Sequence, residues 1–184
     1  EENTPFYKMY EEDKLNLPNE ELEREMYRYV VSFLRQQGYQ QYEISNFSKS
    51  KRECAHNLVY WNLEEYIGCG VASHSYVDGL RYRKTENIEE YIRDIRMNKN
   101  LKLDMHKNSL KDEMEEFMFM GLRKIDGISI IDFSERFQKD IYSVYGEIIK
   151  KYINNHMLIK KDDRLFLSER GIEISNSIMC DFIQ

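Results

Sequence analysis

An apolar stripe of period 3.6 runs through Ile141, Val144, Tyr145, Ile148, Ile149, Tyr152 and Ile153, and only a helix buried along one side accommodates it. Directly after it, Leu158-Ile159-Lys160-Lys161 and Arg164-Leu165-Phe166-Leu167 flank an Asp162-Asp163 pair, which reads as a β-hairpin. A helix feeding a hairpin at this spacing demands a small mixed core, and the flanking sequence supplies the rest of it.

Upstream, Ser109-Leu110-Lys111-Asp112 matches a capping box and opens a helix with Leu110, Met114, Phe117, Met118 and Leu122 inward. Ser129-Ile130-Ile131-Asp132 opens a short second one, and Ser168 caps a last helix carrying Ile172, Ile178, Met179 and Phe182. Three helices, a hairpin and a closing helix resemble a winged helix, assigned here to residues 101–184. Met114, Met118 and Met120 read as adaptable core.

Residues 1–100 read differently. Asn19 is an N-cap followed by three Glu, and Leu22, Met26, Val30, Phe33 and Leu34 keep helical spacing until Gly38. Tyr39 to Ile44 then alternates as a strand, with Tyr42 and Ile44 on one face and Glu43 on the other. Helix, Gly turn and strand make an α/β unit, so the chain as a whole is expected to be α+β. Residues 45–53 read as a polar loop. Ser75 to Arg83 reads as two strands joined by Asp78-Gly79, and Ile88 to Met97 as a helix with Ile88, Tyr91, Ile92 and Ile95 on its buried stripe.

Composition excludes several classes. With 41% hydrophobic and 13% aromatic residues the chain has too much apolar surface to remain disordered. No apolar run approaches the roughly 20 residues that cross a bilayer, and the first residues lack a signal peptide's basic and apolar regions. Three Cys at scattered positions fit reduced thiols in the cytoplasm better than a disulfide framework. A net charge of −6 and mixed charges at Asp140, Glu147, Lys150 and Lys151 argue against a nucleic-acid partner.

The segment from Cys54 to Tyr76 holds the only Trp, two of the four His and two of the three Cys. Cys54, His56, Cys69 and His74 could ligate zinc, but the spacing fits no common structural pattern. His56 could ligate haem iron axially, with Tyr60 and Trp61 as flat apolar surface against the macrocycle. Equally, His56 and Asn57 could bond to backbone in a loop while Tyr60 and Trp61 fill the core. Gly68-Cys69-Gly70 lacks the third glycine of a dinucleotide fingerprint and suits a sharp backbone turn near a ligand. His106 and His156 stand alone, as surface residues.

Tyr42-Glu43-Ile44-Ser45-Asn46-Phe47, then Cys54-x-His56-Asn57-x-x-Tyr60-Trp61, then Glu64-Glu65-Tyr66-x-Gly68-x-Gly70-x-x-x-His74-Ser75-Tyr76, resemble the oxygen-independent coproporphyrinogen III oxidase-like family of radical SAM proteins. The His-Asn-x-x-Tyr-Trp string resembles its haem-chaperone branch. Thr4-Pro5-Phe6-Tyr7 and Leu167-Ser168-Glu169-Arg170-Gly171 extend the likeness along the chain.

The resemblance implies the C-terminal half of such a protein: the end of a TIM-like radical SAM barrel over 1–100 and a winged-helix-like domain capping it over 101–184. It makes His56 the candidate haem ligand, with Asn57, Tyr60 and Trp61 in support. It also places Gly70, Ala72 and His74 at the S-adenosylmethionine pocket. The partners implied are haem or a porphyrinogen, haem-acceptor proteins and the N-terminal half of the same chain. The family's Cys-x3-Cys-x2-Cys motif, which holds a [4Fe-4S] cluster, does not occur in this sequence, so no catalysis is expected of the chain alone. Two other functions stay open: oxidative decarboxylation of coproporphyrinogen III by the parent, and a winged-helix interaction module without chemistry.

Overall fold

The computed structural model describes residues 2–183, which divide into two compact units at the junction of residues 39 and 40. In the first unit, Thr4 caps the short helix α1 (Pro5–Glu11), and Asn19 caps α2 (Glu20–Gln36) by accepting a hydrogen bond from the Leu22 amide. α2 ends at Gly38, whose φ of 76° lets the Gly38 and Tyr39 amides turn back onto the Arg35 and Leu34 carbonyls.

The second unit opens with β1 (Gln40–Glu43) and β2 (Asn46–Ser48), an antiparallel pair. The segment expected to be a polar loop therefore supplies a strand. α3 (Ala55–Trp61) follows, then β3 (His74–Val77) and β4 (Leu80–Arg83), joined by Asp78-Gly79 with both residues at positive φ, as a type I′ turn requires. After α4 (Ile88–Arg96), β5 (Leu103–Lys107) returns to pair with β4, giving the sheet order β3-β4-β5. All strand pairings among the described residues are antiparallel, so a parallel barrel segment is not formed within them.

The remainder is α5 (Leu110–Gly121), β6 (Ile128–Ser129), α6 (Ile130–Phe137), α7 (Ile141–Asn154), β7 (Leu158–Lys161), β8 (Arg164–Leu167), α8 (Glu169–Glu173) and α9 (Ser175–Cys180). Its strands form the sheet β6-β8-β7. The capping box at Ser109 and Asp112 is present in both directions. Around the α7 stripe lies the core: Met114, Met118, Leu122, Ile128, Phe133, Phe137, Ile141, Tyr145, Ile149, Leu165, Ile178 and Phe182 are all buried. The fold is a mixture of helix and antiparallel sheet in which the largest apolar cluster sits after residue 108. The expected boundary at 100/101 falls inside the second unit, just ahead of β5.

Three expectations about packing are corrected. On α4, Ile88, Ile92 and Ile95 are 58%, 43% and 51% exposed rather than buried. Leu110 at the start of α5 is also exposed. The closing helix is two helices, broken at Ile174, because Ile174-Ser175-Asn176-Ser177 combines a β-branched residue with side chains that compete for backbone hydrogen bonds.

Tyr145 is 2% exposed, and burial, aided by the negative charge of Glu115, pushes its phenol up to about 12. The folded-state value lies above the ordinary 10.0, so this contribution to stability is complete below pH 10 and is lost as pH rises toward 12. A shift of this size corresponds to about 2–3 kcal/mol. Chemical denaturation of wild type and Tyr145→Phe at pH 8 and pH 11.5 should show the wild type losing more stability than the variant.

Candidate functional site

α3 is short because its ends are weakly and strongly determined in turn. At its start, Cys54 makes no side-chain cap. At its end, Leu63 adopts φ 54°, and the Leu63 and Glu64 amides donate back to the Tyr60 and Val59 carbonyls at 3.1 and 2.9 Å. This is the two-bond helix stop that glycine usually provides. Leu63 tolerates it because its side chain is buried and its carbonyl accepts from Arg136 at 3.2 Å. His56 and Asn57 therefore lie on a helix, not in a loop.

Helical spacing sorts the four motif residues into two pairs. Asn57 and Trp61, four apart, anchor the helix. Asn57 Nδ2 donates to the Tyr42 hydroxyl of β1 at 3.2 Å, and the Arg123 guanidinium lies 4.6 Å from the centre of the Trp61 ring. His56 and Tyr60, also four apart, form the other pair. His56 is exposed, its Nε2 lies 3.0 Å from the Tyr60 hydroxyl, and the two rings meet edge to face at 4.9 Å. Tyr60 in turn meets Tyr66 edge to face at 4.7 Å. Tyr66 is fixed by a two-way backbone bridge to the buried Tyr76. The Arg81 guanidinium covers the Tyr76 ring and forms a two-pronged ion pair with Glu116 of α5, at 3.0 and 2.6 Å.

Beneath α3 is a polar network. Glu43 is 0% exposed; its Oε1 accepts from the Ser45 amide and Asn46 Nδ2, and its Oε2 lies 3.5 Å from the Arg123 guanidinium. The segment 123–125 runs beside β1, with Ile44 N donating to Arg123 O and Ile125 N to Tyr42 O. Lys124 Nζ donates to Asn62 Oδ1 at 2.7 Å, and burial pushes its ammonium below the ordinary value. Trp61 Nε1 and Arg123 Nε are buried with no hydrogen-bond partner among the described residues. Neither Glu43 nor Arg123 stands out in the sequence; an acidic residue inside an otherwise aromatic strand is the one available signal.

The loop 67–73 holds the other three candidates. Gly70 has φ 96° and Ala72 φ 57°, and the Ala72 amide donates to Thr85 O at 2.8 Å. Ser73 Oγ donates to Gly70 O, Lys84 Nζ to Gly68 O, and the Gly68 amide to Ser75 Oγ. Gly68 sits so close to the His74 carbonyl that a Cβ would overlap it. His74 is exposed at the first position of β3, opposite Arg83. The contacts thus join His56 to Tyr60 and Tyr66, while Ala72 is tied to Thr85, just past β4, and Gly70 to Ser73. Cys54, Cys69 and Cys180 are exposed free thiols, and among the described residues no group of three His, Cys, Asp or Glu is arranged to hold a metal ion.

Residues 108–174 match the model of the HemN C-terminal domain family, the stretch from Asn108 through α8. That stretch places the chain among proteins with a HemN C-terminal domain. The whole chain aligns with proteins named heme chaperone HemW, at 32% identity in Lactococcus lactis, 33% in Bacillus subtilis and 36% in a Buchnera aphidicola subspecies. It spans about half the length of these curated relatives, 47–48%. The fold is similar to that of Escherichia coli coproporphyrinogen III oxidase (HemN), described as a radical SAM enzyme. That match has a TM-score of 0.67 over 85% of this chain and 40% of the other, at 13% identity. The resemblance read from the sequence thus agrees with the similarity of the whole chain to proteins named heme chaperone HemW and with a HemN-like fold. No described helix is long and apolar enough to cross a membrane.

Proposed function

We propose that the chain is the haem-presenting C-terminal part of a haem chaperone, which takes up haem through His56 and passes it to acceptor proteins. The observation that carries this reading is the exposure of the His56 imidazole beside the Tyr60 ring, about 100° round α3 from its anchors. An exposed imidazole can reach a haem iron without disturbing the fold, and Tyr60 and Tyr66 offer aromatic surface to the macrocycle. Likeness of this whole chain to about half of relatives named as haem chaperones favours the same cargo.

Asn57 and Trp61 act in this reading as anchors of the presenting helix. The 1–100 region would complete a radical SAM barrel with an N-terminal half, and the winged-helix-like 101–184 region would cap it. Gly70, Ala72 and His74 would face S-adenosylmethionine there; the open space beside Gly70, where a Cβ would meet nothing within 4 Å, lets a ligand approach its backbone. The cysteines of this chain do not fit a [4Fe-4S] cluster, whose ligands would come from the N-terminal half; no step of haem transfer is assigned to it. Free, exposed thiols suit a cytoplasmic setting.

The test is a hemin titration of the whole protein followed by its Soret band. His56→Ala is expected to weaken binding at least about tenfold, while an Asn57→Ala variant keeps the band position with a loss of stability of about 1 kcal/mol. An unchanged Soret band in His56→Ala would remove His56 as ligand, and turnover of coproporphyrinogen III by the whole protein would favour the oxidase reading instead.

A further inference from the structure

The nitrogen that would bind iron is already engaged. His56 Nε2 and the Tyr60 hydroxyl are 3.0 Å apart, one helical turn from each other. If Nε2 carries the lone pair, the Tyr60 hydroxyl donates to it; if Nε2 carries the proton, it donates to the Tyr60 oxygen. In both tautomers an iron atom reaches Nε2 only after this hydrogen bond has broken. Tyr60 does not move freely, because its ring stands edge-on to Tyr66, which is held by two backbone hydrogen bonds to Tyr76.

We infer that Tyr60 is a gating residue for haem uptake: its hydroxyl caps the ligand nitrogen of His56 in the haem-free protein and must be displaced before iron coordinates. The inference rests on the proposed role of His56 and adds to it a kinetic consequence. A cap that is present only in the free state lowers the fraction of protein competent to bind, so it slows association and leaves dissociation unaltered. A hydroxyl that instead bonded to bound haem would retain it, and its loss would speed dissociation.

Tyr60→Phe separates these roles. It removes the hydroxyl and keeps the ring, hence the contact with Tyr66, so the helix stays packed. Stopped-flow mixing of the whole protein with hemin, and transfer of bound haem to excess apomyoglobin, give the two rates. The expected result is association about 2- to 10-fold faster in Tyr60→Phe, the range of one exposed hydrogen bond, with dissociation unchanged. Unchanged or slower association, or faster dissociation, would overturn the gate. His56→Ala run alongside distinguishes the failures. If His56→Ala loses haem binding and Tyr60→Phe behaves as wild type, the gate alone falls. If His56→Ala binds as wild type, both the gate and the ligand assignment fall.

Discussion

Replacing Phe133 with Ala is expected to lower the unfolding free energy by about 3–5 kcal/mol. Phe133 has no exposed surface and lies at the centre of an aromatic cluster, edge-on to Phe117 at 5.6 Å, Phe137 at 4.8 Å and Tyr145 at 6.1 Å. Those three rings come from α5, α6 and α7, so the cavity left by truncation opens where the three helices meet. None of them can close it alone, because each ring is held by its own neighbours, Tyr145 for example by Phe182 at 5.4 Å. Phe133→Leu, which keeps most of the volume, is expected to cost less than half as much. Urea denaturation measures both, and a loss below about 1 kcal/mol for Phe133→Ala would mean that the cluster is not packed as described.

Replacing Arg123 with Met is expected to cost about 3 kcal/mol and to unsettle the presenting helix as well. Removing one member of a buried ion pair leaves the other charge uncompensated, which is far more costly than removing both. Here the stranded group is Glu43, wholly buried, whose remaining partners are the Ser45 amide and Asn46 Nδ2. Arg123 also covers the Trp61 ring, so its loss uncovers one anchor of α3. The double variant Glu43→Gln/Arg123→Met should recover most of the stability, since a neutral amide still accepts from Ser45. Trp61 is the chain's only tryptophan, so in a chain lacking others its emission should shift in Arg123→Met and stay shifted in the double variant. Equal losses in the single and double variants would show that Glu43 does not depend on Arg123.

How far these features could be read from the sequence depends on whether they are local. Caps at Asn19, Ser109, Ser129 and Ser168, the Asp78-Gly79 turn and the α7 stripe involve neighbours within a few residues, and the structure has each of them. Alternation puts Glu43 on the face opposite Tyr42, yet its burial follows from residues 123–125 lying alongside β1, about eighty positions away. Periodicity on α4 identifies an apolar face but carries no information about whether anything covers it. At α3 the string His-Asn-x-x-Tyr-Trp singles out four residues, and only the helix reveals that they point in two directions. The sequence carries no clear helix signal there because Cys54 is a poor cap and Leu63, a residue that rarely adopts positive φ, provides the stop.

Coordination of haem iron by the His56 imidazole can be read most directly by resonance Raman spectroscopy of the whole protein loaded with ferrous haem. The expected result is an iron–imidazole stretching band that disappears in His56→Ala and persists in Tyr60→Phe. A spectrum with no imidazole band, or one that His56→Ala leaves unaltered, would contradict the assignment.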